Sequence, residues 1–267
     1  DLNETVHENS KIEFYDRSTK TGNSVYERSL EFLIIAAVKE ALNADVLINY
    51  SLDNGIYCEI KGTDIKTSDI KKIENKMHEL VDNDLPFTKD KINRLDAIKY
   101  FQKTKQLDKV NNLNYTINST IDMCKLNNHY DYFFGPLAYS TKDITDFNLH
   151  YIKNNSFVVN YPSIKEPDKV SDYIDRAHIF DKYKEYDLWS EKIGIRFASD
   201  LNKWETEGKY ADAINIFETH FENELSKMSE DIYSKKDNLK VILLSGPPPS
   251  GKTQLVKNYL CILKLKV

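Results

Sequence analysis

The chain has 267 residues (31.1 kDa), of which 40% are hydrophobic and 12% aromatic. That is enough apolar side chain for one large or two modest globular domains, and it excludes a disordered chain. Asp and Glu number 42 against 37 Lys and Arg, giving a net charge of −5 and a pI near 5.8, which leaves no electrostatic footprint for nucleic acid. The longest purely apolar run, residues 32–38, is far too short to cross a membrane. The chain opens Asp1-Leu2-Asn3-Glu4, with no initiating Met and no charged-then-apolar leader, so a truncated N-terminus and no secretion are expected. Cys58, Cys124 and Cys261 are widely spaced and outside any C-x-x-C pattern; the expected setting is reducing and cytoplasmic. His7, His78, His129, His150, His178 and His220 show no H-x-H or H-x-x-x-H spacing, so no sequence-local metal site is expected.

In chain order, residues 11–15 alternate like a strand end, and Thr21-Gly22-Asn23 reads as a turn. Leu30, Leu33, Ile34, Ala37, Val38 and Leu42 predict a helix over 26–42 with one buried face. Residues 46–50 and 56–60 are β-rich and separated by Ser51-Leu52-Asp53-Asn54-Gly55, whose Asn-Gly pair predicts a hairpin. A second amphipathic helix, 67–81, is expected to be capped by Thr67 or Ser68 and to bury Ile70, Ile73, Met77, Leu80 and Val81. Residues 93–104 form a third helix, followed by the Asn-rich span 111–118. Segments 147–151 and 156–161 read as the closing strands of an α+β layer, and 162–169 as a linker. Helices over 174–193 and 211–233 follow.

Two clusters invite a functional reading and lose it. Tyr130-Asp131-Tyr132-Phe133-Phe134-Gly135-Pro136-Leu137 is densely aromatic, but a packed strand and turn explains it better than a base-stacking platform. Asp82 with Asp84, and Asp143 with Asp146, sit among lysines and asparagines and read as solvated loops rather than an acid/base pair.

The most specific motif comes late. Leu239-Lys240-Val241-Ile242-Leu243-Leu244 runs as an apolar strand into Ser245-Gly246-Pro247-Pro248-Pro249-Ser250-Gly251-Lys252-Thr253, which is G-x-x-x-x-G-K-T, and then into an amphipathic run. Strand, glycine-rich loop and helix is the context of a phosphate-binding loop. Gly246, Ser250 and Gly251 would curl backbone N–H groups around ATP phosphates, Lys252 would reach the β/γ-phosphates, and the Thr253 hydroxyl would hold Mg²⁺. The prolines at 247–249 remove at most one useful donor. Only residues 254–267 follow, so the expectation is the opening of a kinase domain rather than a whole one.

Tyr26-Glu27-Arg28-Ser29-Leu30-Glu31-Phe32-Leu33, the hairpin at Asp53-Asn54-Gly55, and the helix 69–82 followed by Leu85-Pro86-Phe87 resemble the second N-terminal domain of threonyl-tRNA synthetase, a module related to the alanyl-tRNA synthetase editing domain. With the late glycine-rich loop, the whole order is similar to uridine kinase/phosphoribulokinase-like proteins that carry a synthetase-like N-terminal region. The resemblance implies an α+β fold: an editing-domain-like sheet-and-helix module over 1–165, a helical connector over 166–237, and the first strand–P-loop–helix of an α/β kinase domain over 238–267. Editing modules of this kind use an H-x-x-x-H pair and a D-x-C-x-G-P-H segment. Those positions fall here on Arg28, Phe32, Phe133 and Leu137, so all four polar groups are replaced.

The leading expectation is therefore part of a cytoplasmic, ATP- and Mg²⁺-dependent nucleoside-kinase-like phosphotransferase. Its partners would be a nucleotide and a nucleoside or other small hydroxyl substrate, with neither nucleic acid nor membrane. The alternatives are a non-catalytic binding or scaffold protein derived from a synthetase editing domain, and an aminoacyl-tRNA deacylase, which the four replacements oppose.

Overall fold

A computed structural model describes residues 5, 7–11, 13–52, 55–170, 172–175, 177–239, 241–244, 251 and 253–258. The chain divides into two compact units, Asp1–Trp189 and Ser190–Val267. In the first, helix α1 (Lys20–Leu42) is the central element. Its start is written in short polar side chains: Asp16 Oδ1 accepts from Ser18 N at 3.0 Å, and Thr19 Oγ1 accepts from Gly22 N at 3.1 Å. The expected turn at 21–23 is thus the first turn of the helix. Gly22 serves close approach, since a Cβ there would lie 1.9 Å from the Asp16 carbonyl oxygen. The helix ends at Asn43, in the left-handed region at φ 51°. Phe32, Leu33, Ile34, Ala36, Ala37 and Val38 are all fully buried, so α1 is enclosed on several sides rather than along the one stripe expected. A helix apolar almost all round must be covered almost all round.

Strands β1 (Val46–Leu52), β2 (Gly55–Ile60), β6 (Asn148–Lys153) and β7 (Ser156–Asn160) form a sheet in the order β1-β2-β7-β6, every pairing antiparallel. The flanks of the expected hairpin pair from Val46↔Ile60 to Leu52↔Gly55; its tip, Asp53 and Asn54, lies outside the described residues. Every residue of β7 is buried because both faces of the sheet are covered. Phe157 and Val159 join α1 in the main core, while Val158 faces the other way with Tyr57. Helix α2 (Thr67–Asp82) brings Ile70, Ile73, Met77 and Leu80 into the same core. Its N-cap is Lys66 rather than Thr67 or Ser68, and Asp69 in the first turn reaches back, its Oδ2 accepting from Lys66 N at 3.0 Å.

A second antiparallel sheet, β3 (Thr88–Asn93), β4 (Thr120–Leu126) and β5 (His129–Tyr132), packs Cys124 and Leu126 against the core that α1 anchors. On its opposite face lie α3 (Arg94–Lys103), capped by Asn93 at 2.9 Å to Leu95 N, and α4 (Leu107–Asn114), around Ala97, Phe101, Leu113 and Met123. Residues 11 and 13–16 form no strand.

Helix α5 (Ala177–Lys192) runs out of the first unit. In the second unit, α6 (Ala198–Thr206) starts where Asp200 Oδ2 accepts from Arg196 N and Phe197 N at 3.0 and 2.9 Å. It packs on α7 (Tyr210–Ser234), whose Ala213 and Leu225 are buried. The strand expected before the glycine-rich loop is absent: Val241–Leu244 pair with no strand among the described residues, and Leu243 is 92% exposed. An apolar run becomes a strand only when a neighbour completes its ladder. Both sheets among the described residues are antiparallel, giving a mixed α+β architecture in which no strand of an α/β kinase domain is seen. No helix among the described residues is long and apolar enough to cross a membrane.

Candidate functional site

Arg28 and Phe32 lie one turn apart on α1 and so share a side of the helix. The chain leaving β5 crosses that side and is fastened to it by two hydrogen bonds. Ala138 N donates to Ser29 Oγ at 2.7 Å, and Arg28 Nε donates to the Pro136 carbonyl at 3.1 Å. Ser29 is held in turn, its hydroxyl donating to the Val25 carbonyl at 2.8 Å. Gly135 makes the bend at φ +110°, and a Cβ there would lie 3.1 Å from the Arg28 guanidinium carbon.

This crossing brings the four positions read from the motif together. The ring of Phe32, fully buried, lies 5.2 Å from that of Phe133 and 6.0 Å from that of Phe87. Leu137 is half-buried against the same core. Phenylalanine and leucine can neither ligate a metal nor move a proton, and Arg28 turns its Nε to a backbone carbonyl. The place is an aromatic plug closed by an arginine.

The polar groups beside the plug were not legible as a site. Glu31, half-buried between Leu30 and Phe32, has its carboxyl pushed up to about 7, first by burial and then by Glu27, with Arg28 opposing. Its signal in the sequence is that it is the one charged residue from Leu30 to Val38. Asp131, 3% exposed, is raised by burial against the pull of its ion-pair partner Lys109, and its Oδ1 accepts from Tyr132 N at 2.8 Å. The buried Cys58 thiol is pushed well up by burial, with Glu31 adding to it, so it is no nucleophile. Among the described residues no three His, Cys, Asp or Glu side chains are placed to hold a metal ion.

Asp82, Asp84 and Asp143 are exposed, as expected of solvated carboxylates, and three of the four also hold local structure. Asp84 Oδ1 accepts from Ser140 Oγ at 2.5 Å, and Asp143 Oδ2 from Ser140 N at 3.3 Å. Asp146 pairs with Arg17 at 2.5 Å, while its backbone N and O exchange hydrogen bonds with the Tyr26 hydroxyl at 3.0 and 2.8 Å. Of the expected phosphate-binding residues, Gly246, Ser250 and Lys252 lie outside the described residues. Gly251 is described at φ +69°, and Thr253 opens a short helical stretch over 253–258.

No protein-family model matches the chain. Among curated proteins it is similar to the threonine--tRNA ligase of Aquifex aeolicus, at 29% identity over 140 residues, covering 47% of this chain and 22% of the relative. It is also similar to the probable cytoplasmic threonine--tRNA ligase of Enterocytozoon bieneusi, at 27% over 150 residues, covering 56% and 23%. A third relative, the threonine--tRNA ligase of Finegoldia magna, is 25% identical over 189 residues, covering 66% and 30%. The chain thus spans between 22% and 30% of the length of these relatives. These findings correct the expectation of an ATP-binding, P-loop, uridine-kinase-like transferase. The relatives are ligases by name, and the described part of the apolar run ahead of the glycine-rich loop is exposed and pairs with no strand among the described residues.

Proposed function

We propose that the module over residues 1–165 descends from the editing module of a threonyl-tRNA synthetase, has lost hydrolysis, and works by holding a partner rather than by turning one over. The observation that carries this reading is the ring contact of Phe32 and Phe133 at 5.2 Å, in the place where the motif would put a histidine and a cysteine. A deacylating site needs a water or nucleophile, a group to take its proton and room for an aminoacyl ester. Here the room is filled with carbon, and the two described thiols, Cys58 and the Cys124 beside Phe133, are buried and pushed up by burial. The acidic net charge weighs against a polyanion as the held partner. A cytoplasmic location belongs to the same reading.

The test is calorimetric titration of the 267-residue chain with an amide-linked aminoacyl-adenosine, which keeps the shape of an aminoacyl-tRNA end and cannot be hydrolysed. No saturable heat is expected. Saturable binding that disappears in Arg28→Ala would overturn the reading, because it would place an open aminoacyl site beside α1.

A further inference from the structure

The three-stranded sheet leaves the outer edge of β3 open. Among the described residues β3 pairs with β4 alone, from Thr88↔Lys125 to Asn93↔Thr120. Arg94 N donates to the Ser119 carbonyl on the β4 side, and Phe87 N to the Tyr139 carbonyl on the other. Backbone groups alternate between the two sides of a strand. Lys89 and Lys91 therefore turn their N–H and C=O groups outward, where no hydrogen bond among the described residues reaches them. The chain begins to cover this edge and then leaves it. Pro86 and Ser140 form an antiparallel bridge, and Thr141 N donates to the Leu85 carbonyl at 2.9 Å. Beyond Tyr139 the chain turns to α1, where Ala138 N meets Ser29 Oγ. The ladder stops at Phe87, and Thr88, Asp90, Lys91 and Asn93 are exposed.

Charge decides what fits there. Lys89 and Lys91 share one face of the strand; Lys89 pairs with Asp122 at 2.8 Å, while Lys91 has no ion-pair partner among the described residues. On the other face Ile92 is half-buried against the cluster around Phe101. A second copy of the chain is opposed. A two-fold axis keeps every side chain on its own face, so the registers of longest overlap set Lys89 opposite the second copy's Lys91, or Lys91 opposite itself. Like charges so placed repel. A strand with carboxylates opposite Lys89 and Lys91, and apolar side chains between them, meets both lysines with opposite charge and extends the apolar surface of Ile92.

We infer that the outer edge of β3 takes up an extended segment of another polypeptide, alternating acidic and apolar residues, as an added antiparallel strand. The main-chain groups of Lys89 and Lys91 supply its hydrogen bonds, and their ammonium groups select its charge. Such an edge gives the partner-holding role proposed above its surface and depends on that role. A peptide reads β3 alone, whereas the aminoacyl analogue reads the surroundings of Arg28, so the two can fail separately.

The probe is a short fluorescein-labelled peptide alternating glutamate and valine, titrated with the whole chain and followed by anisotropy beside a lysine–valine peptide of the same length. The glutamate peptide should bind saturably below about 1 mM, at least about tenfold tighter than the lysine peptide, and more weakly in about 0.5 M salt. Lys91→Glu should weaken it about tenfold. Lys91→Pro removes an N–H that faces away from β4, so it should abolish binding with the urea midpoint nearly unchanged; if it unfolds the protein, Lys91→Glu carries the test. No saturable signal up to about 1 mM, equal binding of the two peptides, or binding indifferent to Lys91→Glu would overturn the inference. So would a dimer in sedimentation that responds to Lys91→Glu, since the edge would then serve a second copy.

Discussion

Glu31→Gln should make the protein more stable at alkaline pH, although it removes a charge from a chain rich in charges. The Glu31 carboxyl titrates near 4.5 in the unfolded chain and about 7 in the folded one, because burial beside Phe32 and the neighbouring Glu27 both disfavour its charge. The folded state therefore binds the proton more tightly. Stability is full below pH 4.5 and falls as pH rises through the window from about 4.5 to about 7, at about 1.4 kcal/mol per pH unit. The whole loss is about 3 kcal/mol, and glutamine, which never ionises, escapes it. Urea unfolding of the two proteins at pH 5 and pH 8 reads this directly. With a slope of about 2 kcal/mol per molar, the midpoints should separate by about 1–2 M at pH 8 and by far less at pH 5. A variant no more stable than the wild type at pH 8, or a gap that does not widen with pH, would refute the burial argument.

Three further substitutions probe the same frame. Phe32→Ala should cost about 3–5 kcal/mol, since the ring is fully buried between Phe87 and Phe133; a loss under about 1 kcal/mol by urea unfolding would mean the plug is loosely packed. Gly22→Ala, ordinarily stabilising in a helix, should destabilise by roughly 1–3 kcal/mol, because its Cβ would meet the Asp16 carbonyl at 1.9 Å; a raised melting temperature would show that the cap relaxes. Lys109→Met strands the buried Asp131 carboxylate and should cost about 3 kcal/mol at pH 7. That cost should shrink in acid as Asp131 takes up a proton, and a pH-independent effect in thermal melts would contradict the pairing.

Where one residue type dictates local geometry, the sequence was a sufficient guide. The Leu30-to-Val38 periodicity found α1, the β-rich runs around Asp53-Asn54-Gly55 found β1 and β2, and Asn93 marked the start of α3. Strand β3 escaped notice because Thr88-Lys89-Asp90-Lys91-Ile92-Asn93 is a polar edge strand, without the alternation a half-buried strand shows. The Asn-rich composition of residues 111–118 hid α4, which Val110 and Leu113 bury against Phe101. The opposite outcome is seen at residues 241–244, where β-propensity meets no neighbouring strand among the described residues. At the candidate site, the resemblance to editing modules pointed to Arg28, Phe32, Phe133 and Leu137, but Lys109, 22 residues from Asp131, and the setting of Glu31 follow only from how the layers meet.

The most direct measurement is the rate at which this chain hydrolyses a mischarged seryl-tRNA at neutral pH. Serine should be released at the rate of the uncatalysed ester, with or without added divalent metal, if Phe32, Phe133 and Leu137 stand where the editing motif would carry its water-activating groups. Acceleration that saturates with tRNA and is lost in Arg28→Ala or Glu31→Gln would contradict it, and would make Glu31 the base of a working deacylase.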